Sequence, residues 1–164
     1  MSVDKNKAII DYLTDGTSGC PQIVSHPTFF NFIDAKNDNK QIITVANDKP
    51  AQKPFIDGSV LKQYTFTIVD YKSVAYQAIV KMSGYSNENV DEMLEVQSIL
   101  DWVNAQDVIQ HYPDFGTDCI VEKIEALTDT PRLNGVDASV SPALAKYSIS
   151  IKVTYLDISK KLWT

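Results

Sequence analysis

From Tyr147 to Tyr155 every second residue is apolar: Tyr147, Ile149, Ile151, Val153 and Tyr155 alternate with Ser148, Ser150, Lys152 and Thr154. A period of two puts one set on each face of a β-strand, so one face is predicted to be core and the other to meet water or a partner. The same rhythm runs through FIDGSVLKQYTFTIVDYK, Phe55 to Lys72, where Tyr64, Phe66 and Ile68 alternate with Gln63, Thr65 and Thr67. Asp57-Gly58 ahead of them supplies the positive backbone dihedrals of a tight hairpin. In CIVEKIEAL the alternation predicts Ile120, Glu122, Ile124 and Ala126 on one face of a strand and Cys119, Val121, Lys123, Glu125 and Leu127 on the other. A further strand is predicted in KQIITVAND, Lys40 to Asp48, and the run Ala78-Ile79-Val80 extends or adds to the same sheet.

Two stretches follow the helical period instead. Ser2 is placed to cap a first helix with Val3, Ala8, Ile9, Tyr12 and Leu13 as its apolar stripe, ending before Gly16. SNENVDEMLEVQSILDWVNAQ, Ser86 to Gln106, opens on capping residues and acidic first-turn residues, and sets Val90, Met93, Leu94, Gln97, Leu100 and Val103 on or near one face. These elements predict one α/β (α+β) domain spanning 1–164, with a central mixed or antiparallel sheet flanked by the N-terminal helix and the longer middle helix. The Gly-rich DGTSGCP, Asp15 to Pro21, follows a helix and lacks the Lys-Ser/Thr ending of a phosphate loop, so it is read as a turn. The polar connection at 128–145, TDTPRLNGVDASVSPALA, exceeds an ordinary hairpin loop; its Leu133, Val136, Val140 and Leu144 are expected to form an arm that orders against a neighbouring subunit. In the tail, 157–164, Leu162 and Trp163 have three open uses: docking on a neighbour, packing on the chain's own core, or none.

Composition narrows the function. At 164 residues, 44% hydrophobic and 22% charged, the chain is long enough for one ordinary globular core. A net charge of -6 with a single arginine, Arg132, argues against affinity built on phosphate neutralisation or bidentate base reading. No window reaches the roughly 20 apolar residues of a membrane helix, and the charged, amphipathic MSVDKNKAIIDYL is unlike a signal peptide, so a cytoplasmic origin is expected. Cys20 and Cys119, far apart in sequence, suit reduced thiols.

Candidate chemistry is thin. His26 and His111 stand in no metal-ligand spacing, and a Cys-His pair could form only in space. Asp91, Glu92 and Glu95 fit a solvated helix start; Asp70, Asp114 and Asp118 are dispersed and assemble no calcium loop. No catalytic, cofactor-binding or metal-ligating residues are nominated, and no enzyme is expected.

The order of elements, with a short N-terminal helix, F-I-D-G-S at the hairpin, a middle helix ending in D-W-V, a Pro-rich turn and the last strand Y-S-I-S-I-K-V-T-Y, resembles the tail terminator proteins of long-tailed bacteriophages, also called minor capsid or tail-completion proteins. The likeness runs from the first helix to Tyr155; Phe55 to Ser59, Leu100 to Val103 and Tyr147 to Tyr155 carry it. It implies a hexameric ring of the chain with itself at the tail-head junction of the virion. That ring would cap the tail-tube protein, stop its polymerisation and dock a head-neck connector protein, with DNA passing through it without sequence-specific binding and no membrane involved. It carries no catalytic residues over. For the subunit interface the candidates are Leu133, Val136, Val140, Leu144, Ser148, Ser150, Lys152, Thr154 and Trp163. Rival readings are another head-tail connector or tail-tube protein, a small-ligand-binding or enzymatic domain using His26 or His111, and a monomeric adaptor.

Overall fold

Two strands of fifteen residues, β4 (Val60–Val74) and β7 (Ala143–Asp157), pair antiparallel over their whole length, from Val60 opposite Asp157 to Val74 opposite Ala143. At about 3.3 Å per residue this ribbon is roughly 50 Å long, and the other strands are arranged along its two edges. The structure, a computed structural model, describes residues 3–30, 39–44, 53–74, 87–139 and 143–162. Beside β4 lie β2 (Asn39–Thr44) and the short β3 (Lys53–Pro54), both antiparallel to it, and β1 (Thr28–Phe30) pairs parallel with β2. Along the far edge of β7, β5 (Cys119–Ala126) takes the Ile151–Asp157 half and β6 (Arg132–Asp137) takes the Leu144–Ser148 half. The α+β domain with a largely antiparallel sheet is therefore as the patterning predicts.

One face of the ribbon is core. Phe66 and Ile68 of β4 and Ile149, Ile151 and Val153 of β7 are fully buried, with Tyr147 and Tyr155 nearly so. The layer above them is helical: α1 (Lys5–Thr14) contributes Ile9, Tyr12 and Leu13, the single turn α2 (Pro21–Val24) contributes Ile23, and α3 (Asn87–Val108) contributes Val96, Ile99, Leu100 and Val103. Each such side chain removed from water is worth about 1.5–3 kcal/mol, so this layer is the main source of stability. Aromatic contacts seal one end, where Phe115 meets Tyr64 and Tyr155 edge-on at 5.9 and 5.2 Å.

Several local expectations are corrected. The cap of α1 is Asp4, whose carboxylate accepts from the Asn6 amide at 2.9 Å, and not Ser2. Its stripe is Ile9, Tyr12 and Leu13 with Ala8 at the margin, while Val3 lies outside the helix and is exposed. DGTSGCP is a turn, closed by the Gly19 amide on the Asp15 carbonyl at 2.8 Å. On α3 the buried face is Val96, Ile99, Leu100 and Val103; Met93 and Leu94, predicted on that face, are 44% and 57% exposed. In β5 the register shifts between Val121 and Lys123, so Glu122 is a bulge. One extra residue resets the alternation: Cys119 and Val121 join Ile124 and Ala126 against the core, and Ile120 is exposed. The supposed arm at 128–145 is not a free loop, because Arg132–Asp137 pairs with its own chain as β6 and Ala143 already begins β7. Residues 45–48, 78–80, Ser86, Val140 and Trp163 lie outside the described residues.

Candidate functional site

The face of the ribbon turned away from the core carries the sequence-nominated row. Ser148, Ser150, Lys152 and Thr154 are half-exposed on β7, standing opposite Val69, Thr67, Thr65 and Gln63 of β4. The Thr67 and Ser150 hydroxyls meet at 3.1 Å across the pair. Lys152 reaches the Glu125 carboxylate at 2.6 Å, and Lys123 reaches it at 2.5 Å. These two ammonium groups, Lys123 first, hold the Glu125 carboxyl below its ordinary value. The result is a polar row of hydroxyls bordered by a charge trio of Lys123, Glu125 and Lys152, carried by the sheet behind it.

Leu144 sits on this same face but is only 4% exposed, at the end where Val69 and Tyr71 are also buried. It is packed within the chain and does not belong to an open surface. Leu133 and Val136, 52% and 42% exposed, stand opposite Tyr147 and Ala145, residues of the core face. The nominated residues thus divide into a polar row on one side of the sheet and an apolar pair on the other. Sequence spacing assigned Leu133 and Val136 no face because they were read as loop.

The tail is partly placed. Residues 158–162 turn back onto the β3–β4 loop: the Leu162 amide donates to the Asp57 carbonyl at 2.8 Å and the Ile158 amide to the Asp118 carbonyl at 2.9 Å, while the Leu162 side chain remains exposed. The segment is thus held by its backbone to the hairpin loop, and the exposed Leu162 side chain is not packed on the core.

Two polar clusters were not nominated. On the core face of β4 the apolar run Phe66, Ile68 gives way to Asp70 and Lys72, both almost fully buried. The Lys72 ammonium meets Glu95 of α3 at 2.5 Å, and His26, just after α2, approaches the other Glu95 oxygen at 3.8 Å. Glu95 is therefore a half-buried partner of Lys72 and not part of a solvated helix start, and Asp70 is buried within β4. The period of two carries both residues onto the face of Phe66 and Ile68, which is the signal that locates them. The Lys72–Glu95 pair ties β4 to α3 by charge at one end of the core, with the His26 ring beside it.

The second cluster lines a groove of about 430 Å³ beside α1, formed by Asp4, Lys7, Asp11, Asp15, His111 and Asp114 with Tyr12. Its carboxylates serve local structure: Asp4 caps α1, Asp15 accepts from the Ser18 amide at 3.1 Å, and Asp114 accepts from the Gly116 amide at 2.8 Å. The Ser18 hydroxyl, then its amide, hold Asp15 below the usual carboxylate range. His111 is bonded through Nδ1 to the Gln106 side chain at 2.7 Å, and its carbonyl accepts from the Tyr12 hydroxyl at 2.8 Å; burial pushes that phenol well above its ordinary value. The two histidines lie at opposite ends of α3 and form no joint site. Cys20 is buried and Cys119 half-buried, both unbridged, and among the described residues no group of three or more His, Cys, Asp or Glu is gathered to hold a metal ion.

Compared with protein-family models and with curated proteins, the chain matches none.

Proposed function

We propose that this chain is a structural virion protein, a ring-forming terminator that caps a phage tail tube, stops its growth and joins it to the head. The observation that carries this reading is the fifteen-residue β4–β7 ribbon, which commits one face to a core and presents on the other a half-exposed row of Thr, Ser and Lys. Such a surface is built for contact area and register. A rigid wedge with two different sides is also what a closed ring requires, since each subunit repeats the same head-to-tail contact with the next. The net charge of -6 agrees with a ring around a DNA conduit, because an acidic lumen repels the duplex and lets it slide.

The test has two parts. Light scattering after size exclusion should give a particle six times the 18.3 kDa chain, formed at high concentration or on contact with tube ends. Added to polymerising tail-tube protein, the chain should shorten the tubes and be seen as a ring at one end. Growth of the chain alone into long tubes would point to a tube protein instead, and unchanged tube lengths would overturn the terminator reading.

The groove beside α1 favours a second reading, binding of a small cationic ligand among Asp4, Asp11, Asp15 and Asp114. A thermal-shift series with spermidine and with arginine checks it, and no shift with either removes it.

A further inference from the structure

All six residues of strand β6, Arg132 to Asp137, are exposed, and among the described residues it is bonded on one side only, to β7. A strand with an unsatisfied edge is a template for another strand. Its sequence, RLNGVD, is self-complementary when reversed. In an antiparallel pairing centred between Asn134 and Gly135, the arginine of each strand meets the aspartate of the other and each Leu133 meets a Val136. The register shift between Leu133 and Gly135 preserves this match in three dimensions. Arg132, Gly135 and Asp137 stand opposite Ser148, Lys146 and Leu144 on one face, and Leu133 and Val136 opposite Tyr147 and Ala145 on the other. Complementary residues therefore meet on the same side of the continued sheet, and the extra residue Asn134 falls opposite a glycine whose Cβ position is open space.

We propose that β6 pairs with β6 of a second copy of this chain about a twofold axis, extending the sheet across two molecules, with Arg132 of each facing Asp137 of the other. Edge strands are commonly guarded by charges that repel a second copy or point inward. Here the two charges are opposite in sign and symmetric about the strand centre, which attracts one. The Ser139 hydroxyl and amide hold the Asp137 carboxyl below its usual range, so it stays ionised in mildly acidic solution. Six residues a side make a contact well under the roughly 1,200 Å² of stable interfaces, so the pair is concentration-dependent.

This pairing does not rest on the ring reading. A twofold contact joins like to like, whereas a ring repeats a head-to-tail contact, so in a terminator the pair belongs to the soluble form before ring assembly. Light scattering on the full chain over a range of concentrations should show the mass rising towards twice 18.3 kDa. Arg132→Asp and Asp137→Arg each set like charges opposite one another and should weaken the pair about tenfold or more, while the double swap should return it to within about threefold of the wild type. Both side chains are exposed, so folding should persist, checked by circular dichroism; Leu133→Asp, on the other face, carries the same test if either variant misfolds. A wild type that is monomeric throughout, or a pair indifferent to charge reversal, would overturn the proposal. Charge-sensitive pairing with no effect on tail-tube length would instead sink the terminator reading and leave this one standing.

Discussion

Gly58 holds a φ of 86° in the loop between β3 and β4, and a Cβ there would stand 2.4 Å from the Lys160 carbonyl oxygen. The positive dihedral expected of Asp57-Gly58 is found at Gly58 but not at Asp57; the second constraint was not legible, because it comes from the tail folding back onto the loop. The two act together, and Gly58→Ala should cost about 2–4 kcal/mol through backbone strain and displacement of the tail, read as a lower urea midpoint. An unchanged midpoint would remove the claim. Nearby, Lys62 meets the Asp157 carboxylate at 2.5 Å, and that ammonium, with Ser159 next in effect, holds the Asp157 carboxyl far below its ordinary value. A carboxyl depressed in the folded state stabilises the protein above its unfolded pKa of about 3.9 and loses that contribution as pH falls through the folded value. The stability gap between wild type and Asp157→Asn should therefore be flat from neutral pH to about 5 and close progressively below about 4, as urea titrations across that range would show. A gap that persists at the lowest pH would mean that packing, and not charge, makes the contribution.

At the scale of elements, what could be read from the sequence depended on whether one period held. In β7 it holds over the whole stretch, so Tyr147, Ile149, Ile151, Val153 and Tyr155 are core as read and the Ser148 to Thr154 row is open as read. In β5 a single bulge inverts the faces, and nothing in CIVEKIEAL announces it. In α3 the stripe was misassigned because apolar residues occur around the whole helix: Met93, Leu94 and Val108 are exposed while Val96, Ile99, Leu100 and Val103 are buried. Only the sheet beneath decides between the faces. Ile99→Ala should thus destabilise by about 2–4 kcal/mol as a cavity in the core, whereas Leu94→Ala should stay within about 0.5 kcal/mol. Chemical denaturation of the two variants separates the observed face from the predicted one, which would have had Leu94 buried. Strand β6 escaped because RLNGVD is short, polar and interrupted by glycine, and a strand exposed on both faces has no alternation to display. Its pairing partner, β7, shows the clearest alternation in the chain, but nothing in that alternation names the strand beside it.

For the molecule as a whole, a sheet this long raises the question of whether it unfolds as one unit. The β4–β7 ribbon spans the domain, but the helical layer is distributed along it, with α1 and α2 joined to the core through Ile9, Leu13 and Ile23 and α3 through Val96 to Val103. Cys20 lies in the turn between α1 and α2, fully buried, with its amide bonded to the Leu13 carbonyl at 3.0 Å. Cys119 begins β5 half-buried, its thiol pushed up by burial, which slows its reaction in the native state. The two thiols therefore report on opposite layers of the same core. If the core is single, Cys20 in a Cys119→Ser variant should become reactive with the same urea midpoint as the loss of the far-ultraviolet sheet signal, because exposing it requires the Ile9, Leu13 and Ile23 contacts to come apart together. Labelling at clearly lower urea would show that α1 and α2 open as a separate unit while the ribbon persists. That outcome would change the reading of assembly as well: the ribbon alone would then be the rigid part on which neighbours are positioned, and the groove beside α1 would belong to a layer free to move when a neighbour docks.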